Sequence, residues 1–539
     1  MPVFYKKIGM VLLAATLSMM LTACSYLPLQ AVLRELYAPD KTVSKDSVLS
    51  SSPSDDPVEK VPFSPEESHQ MEWKPLSLFQ AKDGDSVWQD GSLLCSTDWE
   101  YFYLSQEDAA VYPALAAALD VLNQETAATG AVYTADLPET ARENFQVKSA
   151  DDVYAWYSQE SAVRRADQAA LSFLHYEEYF DTVSYGSTVR ATNLDPATGK
   201  ELTLADVFVH PEEIPELLDD QYKANEQSVD ESTKEYFASC ISREEFIWVV
   251  GYQNVTFYFS PPYDSVYADN LLTLTLWFQD SPHLFQEKFR SSPSQYVVKL
   301  DSHSPIDIDL NNQDNRKDTI WYESYTGWPE IWVNDQFCCT LPDDEIDADI
   351  PLRALEVYFV QTADEHHLLY IDAAVWNDCH VLSIYSLDDA RLLERYWDVG
   401  FYEEFTEEGE RRRELFTDPS DFTLYAHMEL LGTMWGVCKY QVDPSSGLAV
   451  EKSPYFDVIN DNTLTNLIPL EAIALPDEIH ENIPAGTNLY FLRTDCLSYV
   501  DMQAEDGQEW RIYLDTSQWP ITVNGISIDQ CFDRMFYLG

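Results

Sequence analysis

The stretch LLTLTLWF at 271–278 sets Leu272, Leu274 and Leu276 on one side and Thr273 and Thr275 on the other. That is the period of a half-buried β-strand. NVTFYFS at 254–260 repeats it with Val255, Phe257 and Phe259. From about residue 300 the chain is built almost wholly of such pieces. DTIWYESYTGWPEIWVND, LLYIDAAVWN, CHVLSIYSL and GVCKYQVDPSSGLAV are strand-length runs separated by Asp, Asn, Gly and Pro turns. A chain patterned this way must form sheets that bury one face against another layer. The spacing suits a sandwich, a barrel or an array of sheets, and no repeat period argues for a propeller.

Ahead of residue 300, helical spacing is interleaved with strands. DWEYFYLS at 98–105 reads as a strand. Pro113, Leu115, Leu119 and Leu122 then fall at helical spacing, with Pro113 suited to a first turn and Gly130 to a stop. A second helix is expected over 149–166, capped by Ser149 with acids in its first turn. A strand at 171–180 and a helix at 215–225, where Leu218 and Tyr222 are four apart, follow. Asp195-Pro196-Ala197-Thr198-Gly199 is a turn: Asp starts it, Pro presets φ and Gly takes the positive φ. Thr203 and Asp206 form a capping box with Asp in place of Glu.

With 539 residues, several cores are expected. Residues 85–295 predict an α+β domain, helices on an antiparallel sheet. Mostly-β domains follow: a β-rich one over 300–465 and a small closed barrel over 470–539, broken at Ala485-Gly486 and Asp506-Gly507.

The first residues bear on placement. Lys6 and Lys7 precede an apolar run from Ile8 to Met20, then Leu21-Thr22-Ala23-Cys24. The run is shorter than the ~20 residues of a spanning helix and has the form of a secretory signal. Its end resembles the lipobox of bacterial lipoproteins. The resemblance implies a signal peptide over 1–23, cleavage before Cys24 and diacylation of its thiol, which gives the two chains stable anchoring needs. Residues 24–84 then form a lipid-anchored tether, rich in Ser, Pro and Asp over 40–69. The expected location is the outer face of the cell membrane.

Net charge is -60, from 93 acidic against 33 basic residues. A nucleic-acid partner is excluded by the missing basic footprint. Solubility through self-repulsion and attraction of a cationic partner both stay open. Hydrophobic residues make up 45% of the chain, which argues for packed domains rather than disorder. The eight cysteines after Cys24 are scattered without a CxxC pair, so no zinc site is indicated. Buried free thiols are the expected state for most.

Three segments carry a family resemblance over 98–290. AAVYPALAAALDVLN, LDPATGKELTLADVF and VTFYFSPPYDSVYADNLLTLTL occur in the order of the extracellular domain shared by RsiV-type anti-sigma factors and PdaC-type peptidoglycan deacetylases. VSYGSTVR at 183–190 lacks that family's Gly-Gly-Ala-His, and Tyr267-Ala268-Asp269-Asn270 lacks its closing Gly. The resemblance implies an α+β binding surface at the cell exterior; the RsiV type binds lysozyme, a basic protein. PAGTNLYFLRTD and EDGQEWRIYL resemble bacterial SH3-like barrels, which bind or space.

Chemistry is sparse. DIDLNNQDNRKD at 307–318 puts Asp307, Asp309, Asn311 and Asp318 at positions 1, 3, 5 and 12 of a calcium-type loop, with Asn312 where Gly is wanted. An acidic solvated turn is the alternative. Adjacent His366 and His367, if in a strand, point to opposite faces and would not share an ion. Acid pairs such as Glu403-Glu404 and Asp388-Asp389 are too common here to mark glycosidase carboxylates. Trp328 and Trp332 read as core packing. No GxSxG, HExxH or Walker motif occurs, nor a TFDD-type deacetylase motif. The chain is therefore expected to be a non-enzymatic lipoprotein that binds a cationic, lysozyme-like protein or peptidoglycan. The alternatives are an envelope hydrolase with an unrecognised site and a passive spacer.

Overall fold

A computed structural model describes residues 73–89, 92–145, 155–181, 184–225, 231–259, 271–291, 293–310, 317–323, 328–334, 336–340, 352, 354–375, 380–405, 411–459, 466–475, 482–517 and 519–533. The signal, Cys24 and the tether up to residue 72 lie outside the described residues, as does Asn311. The fold is mostly β, in several sheets, with its longest helix near the beginning.

The first sheet positions the candidate site. Strands β1 (Leu78–Gln89) and β2 (Ser92–Leu104) form an antiparallel hairpin. The chain then runs through helix α1 (Pro113–Phe145) and returns as β3 (Ala155–Ala166), parallel to β2. A parallel pair needs such a crossover, and α1 provides it. Strands β4 (Leu171–Phe180) and β5 (Tyr185–Leu194) continue antiparallel.

Helix α1 begins at Pro113 as expected but runs through Gly130. An added Cβ on Gly130 would come 2.3 Å from the Trp99 ring, so this glycine marks where helix and sheet touch. Leu115 and Leu119 pack with Phe102 and Phe173, and Leu137 and Ala141 with Trp99 and Tyr157.

The helix expected over 149–166 is instead, from Ala155 on, strand β3. A favourable cap contributes about 1 kcal/mol. Pairing to β2 on one side and β4 on the other, with alternate residues buried from Ala155 to Ser161, outweighs it.

Helices α2 (Ile214–Asn225) and α3 (Glu231–Arg243) cover a three-stranded sheet of β6 (Ile247–Val250), β7 (Asn254–Phe259) and β8 (Leu272–Trp277). Ile214, Leu218, Phe237, Phe257, Phe259, Leu272 and Leu274 form the shared core, in the periodicities read from sequence. The 195–206 segment folds as expected. Gly199 takes φ +66°, and Asp206 Oδ2 accepts both the backbone N–H and the hydroxyl of Thr203.

Beyond Tyr296 the chain makes three larger sheets and a two-stranded ribbon that pairs Thr522–Val523 with Ile526–Ser527. Strands β9 (Tyr296–Leu300), β14 (Ala354–Gln361), β15 (His367–Ala374), β16 (His380–Ser386) and β17 (Arg391–Trp397) form one. Strands β10 (Ile306–Ile308), β11 (Asp318–Glu323), β12 (Glu330–Val333) and β13 (Gln336–Thr340) form a meander. Two short strands, β19 (Glu403–Phe405) and β20 (Arg411–Glu414), return to extend the first sheet at β1.

The remaining sheet runs from β18 (Val399–Phe401) through β21 (Phe422–Glu429) and β22 (Thr433–Val442), with β23 (Ala449–Glu451) paired to β22. It continues through β24 (Phe456–Val458), β25 (Leu489–Thr494) and β26 (Tyr499–Ala504) to β27 (Glu509–Tyr513). The closed SH3-like barrel expected over 470–539 is not what forms among the described residues. Strands β25 to β27 extend a sheet begun by β18 to β24, because Asp457 pairs with Arg493 across β24 and β25. One apolar cluster runs from Val297 to Phe532.

Candidate functional site

One face of the first sheet lies under α1; the other carries acids. Register explains how they meet. Side chains two apart share a face, so Ser96, Asp98 and Glu100 of β2 stand together, as do Trp156, Ser158 and Glu160 of β3. The parallel pairing sets Ser96 beside Trp156 and Asp98 beside Ser158. The antiparallel pairing sets Ser158 beside Glu178 and Glu160 beside Tyr176. The Ser158 hydroxyl donates to Asp98 at 2.9 Å.

His303 arrives from the turn after β9. Asp301 Oδ1 accepts from the backbone N–H of His303 and of Ser304, both at 2.8 Å, and buried Arg164 grips Asp301 Oδ2 at 2.6 Å. The imidazole lies on the Tyr176 ring, 4.7 Å between centroids. Its Nε2 is 3.5 Å from Glu160 and its Nδ1 4.0 Å from Glu178. The result is an open cleft of about 320 Å3 lined by Ser96, Asp98, Trp156, Ser158, Glu160, Tyr176, Glu178 and His303.

The charges are tuned by their surroundings. Burial alone would lower the His303 pKa, but the hydrogen bond to Glu160 and the charges of Asp301, Glu160 and Glu178 lift it to about 9. The same hydrogen bond, aided by Lys82, holds Glu160 down at about 2 against burial. Burial raises Asp98 above the usual carboxylate range, against the Ser158 hydroxyl.

Behind the cleft lies a ladder of ion pairs whose acids are buried. Lys82 sits 3.3 Å from Glu100, whose pKa burial raises. Lys299 and Arg413 hold Glu356 at 2.8 and 2.7 Å, and together they overrule burial and set Glu356 at about 2. Arg413 also reaches Glu403 at 2.5 Å. Glu403, which sequence alone treats as one surface acid among many, is therefore a buried partner joining β19 to β20.

The calcium-loop residues are engaged by protein donors. Asp307 accepts from the hydroxyls of Thr275 and Thr319 at 2.5 and 2.9 Å. Asp309 accepts from Gln279 Nε2 at 2.6 Å, and Asp318 from the Leu310 N–H and from Asn334 Nδ2. No three His, Cys, Asp or Glu side chains gather for an ion among the described residues.

His366 and His367 do not diverge as strand alternation predicts. His366 precedes β15, and both Nδ1 atoms approach Asp388, at 3.4 and 2.8 Å. Trp328 is buried, as expected, while Trp332 stacks on Trp321 at 5.5 Å. No helix among the described residues is long and apolar enough to cross a membrane.

No protein-family model matches the sequence, and no curated protein matches it. Solved structures resemble part of the chain, among them two DUF3298 family proteins. A member of the DUF3298 family from Bacteroides fragilis is 13% identical over 41% of this chain and 99% of its own, with a TM-score of 0.29. A DUF3298 family protein from Pseudomonas aeruginosa is 12% identical over 40% of this chain and 96% of its own, with a TM-score of 0.24.

Proposed function

We propose that the chain is an outward-facing binding lipoprotein, held at the membrane by lipid on Cys24, whose acidic cleft receives a cationic protein of the lysozyme kind. The observation that carries this reading is the gathering of Asp98, Glu160 and Glu178 around a single imidazole. Three carboxylates outnumber the two cations that act on them, His303 and Lys82, and leave the cleft negative even with His303 protonated. Trp156 adds an aromatic face beside those acids, a setting that suits an Arg or Lys side chain. A net charge of -60 would steer such a partner from a distance. The likeness of 98–290 to the RsiV type points the same way.

Surface plasmon resonance with hen lysozyme tests it. Binding should be measurable at low ionic strength and weaken with added salt. The double variant Glu160→Gln/Glu178→Gln should lose about tenfold in affinity, ~1.4 kcal/mol. No binding of the unaltered chain at low ionic strength would remove the reading. Separately, Cys24→Ala should release the protein from membranes; persistent association would remove the anchor.

A second reading rests on Asp98 and Glu160, two carboxylates of one cleft pushed in opposite directions, one up and one down. Such divergence is how a general acid and an ionised partner are set up in glycan hydrolysis. On that reading Asp98→Asn abolishes turnover of a glycan polymer while lysozyme binding survives. A chain with no turnover of glycan polymers to lose excludes it.

A further inference from the structure

Two adjacent cysteines, Cys338 and Cys339, lie in β13, the last strand of the meander. In a regular strand neighbouring side chains point to opposite faces. Here they do not. Trp332 of β12 pairs with Phe337, and Ile331 pairs with Cys339, so Cys338 is an extra residue bulged out of the ladder. The bulge resets the alternation. Phe337 meets the Trp332 ring edge-on at 5.6 Å and is 53% exposed. Cys339 joins the core cluster of Ile320, Ile331 and Val357, and Cys338 packs against that same cluster. Both sulfurs therefore occupy one side of the sheet, where the Cys339 thiol donates a hydrogen bond to the Cys338 sulfur.

The two thiols are unequal. Cys338 is half-buried and Cys339 buried. The hydrogen bond from Cys339 holds the Cys338 thiol below its ordinary value, and the same bond, with burial, pushes Cys339 far up. Burial raises every other cysteine among the described residues: Cys95, Cys240, Cys438, Cys496 and Cys531. Thiolate is the attacking form, so Cys338 is the described cysteine best set up as a nucleophile. Cys339, in contact with it, stands where a resolving thiol is needed.

We propose that Cys338 and Cys339 form a reversible dithiol–disulfide site whose oxidant is a small-molecule disulfide, RSSR. The Cys338 thiolate attacks one sulfur of RSSR, forming a Cys338–SR bond and releasing one thiolate. Cys339 then gives up its proton, its sulfur displaces the second thiolate, and the Cys338–Cys339 bond closes. Two electrons and two protons pass from the pair to two molecules of RSH. Adjacent Cα atoms are about 3.8 Å apart, short of the ~4.4–6.8 Å usual for a disulfide, so a thiol readily reopens the tense ring. Cys338 has no partner on β12, and its movement leaves the pairing of Ile331 with Cys339 in place. The inference uses none of the acidic-cleft residues and is independent of what that cleft binds. The outward placement proposed above would put the pair where disulfides form and persist.

Incubating the full chain with oxidised glutathione and mapping its tryptic peptides by mass tests it. Cys338 and Cys339 are the only cysteines of residues 318–353, which trypsin releases by cutting after Lys317 and Arg353. That peptide should lose about 2 Da, regain them in dithiothreitol and carry no lasting glutathione. Cys339→Ser should instead keep glutathione, about 305 Da, on Cys338. Cys338→Ser should leave Cys339 unmodified. Phenylarsine oxide, which bridges two neighbouring thiols, should prevent the oxidation of the unaltered chain, a result that needs neither variant to fold. A 318–353 peptide that keeps its mass, a glutathione adduct that persists on the unaltered chain, or oxidation that phenylarsine oxide does not prevent would overturn the proposal. So would reaction of Cys339 in the Cys338→Ser chain, which would make the buried thiol the attacker.

Discussion

Raising the pH through 9 should loosen the fold at His303 and sharpen the cleft for a cation at the same time. The imidazole is lifted from 6.5 to about 9 by Glu160, Asp301 and Glu178. A group whose folded pKa is raised contributes fully below its unfolded value and loses that contribution as pH rises through the folded one. From 6.5 to about 9 the full linkage is about 3 kcal/mol, at about 1.4 kcal/mol per tenfold. The imidazole keeps 26% of its exposure, and water screening brings the expected value to about 1–2 kcal/mol. Glu160, held at about 2, contributes the opposite flank: its share is present above 4.5 and lost as pH falls through 2. The pair therefore supports the fold between those limits. Urea unfolding at about pH 6 and about pH 10 measures it, with His303→Gln as reference to subtract every other titrating group. The unaltered chain should lose about 1–2 kcal/mol more than the variant across that interval. Over the same interval an arginine-rich peptide, whose charge does not titrate, should bind the unaltered chain more tightly as the imidazolium discharges. Equal losses in both proteins would refute the assignment of His303 as the cation of the cleft.

Arg413→Met takes one buried cation from Glu356 and from Glu403, with Lys299 remaining on Glu356, so unfolding should come about 3 kcal/mol more easily in a urea titration. Gly130→Ala puts a methyl against the Trp99 ring at 2.3 Å, and calorimetry should show about 1–3 kcal/mol of lost stability, where a free helical surface would gain from the change. Asp307, Asp309 and Asp318 already accept from protein donors, so calcium at about 1 mM should not move the melting temperature; a rise of several degrees would restore the loop as a metal site.

Strands such as Leu272–Trp277 were legible because their alternation is local and their apolar face meets a core. The turn at Gly199 and the helix at Ile214–Asn225 were legible for the same reason: each is decided within a dozen residues. Ala155–Ala166 was misread because its cap and acidic first turn are local, while the pairing that makes it a strand comes from β2 across the long helix. The addition of Arg411–Glu414 to β1 joins residues far apart in sequence and leaves no local trace. Asp98, Ser158, Glu160 and Glu178 carried a faint signal, polar residues two apart in strands rich in aromatics. Among 93 acids that spacing was not distinctive, and which acids meet depends on the parallel register of β2 and β3. His303 could not be joined to them without the turn that Asp301 and Arg164 hold.

Burial takes acids and cations in similar proportion, so the electrostatic argument rests on net charge. The chain has 33 Lys and Arg, and several are committed inside the fold. Arg164 and Arg165 are buried in ion pairs with Asp301 and Asp167, and Lys299 and Arg413 are nearly so with Glu356. Acids are buried in much the same proportion: Glu100, Asp108, Asp167, Asp309, Asp318, Glu356, Asp372, Glu414 and Asp501 are buried, against Arg164, Arg165 and Arg395. The outer surface therefore keeps the strongly negative balance of the composition. Association with a basic partner should accordingly respond to ionic strength in rate before it responds in lifetime, because long-range steering is screened at about 10 Å in 0.1 M salt while contacts inside the cleft are not. A partner whose dissociation, and not its association, carried most of the salt dependence would be held by rim charges, and the acidic cleft would then not be where it docks.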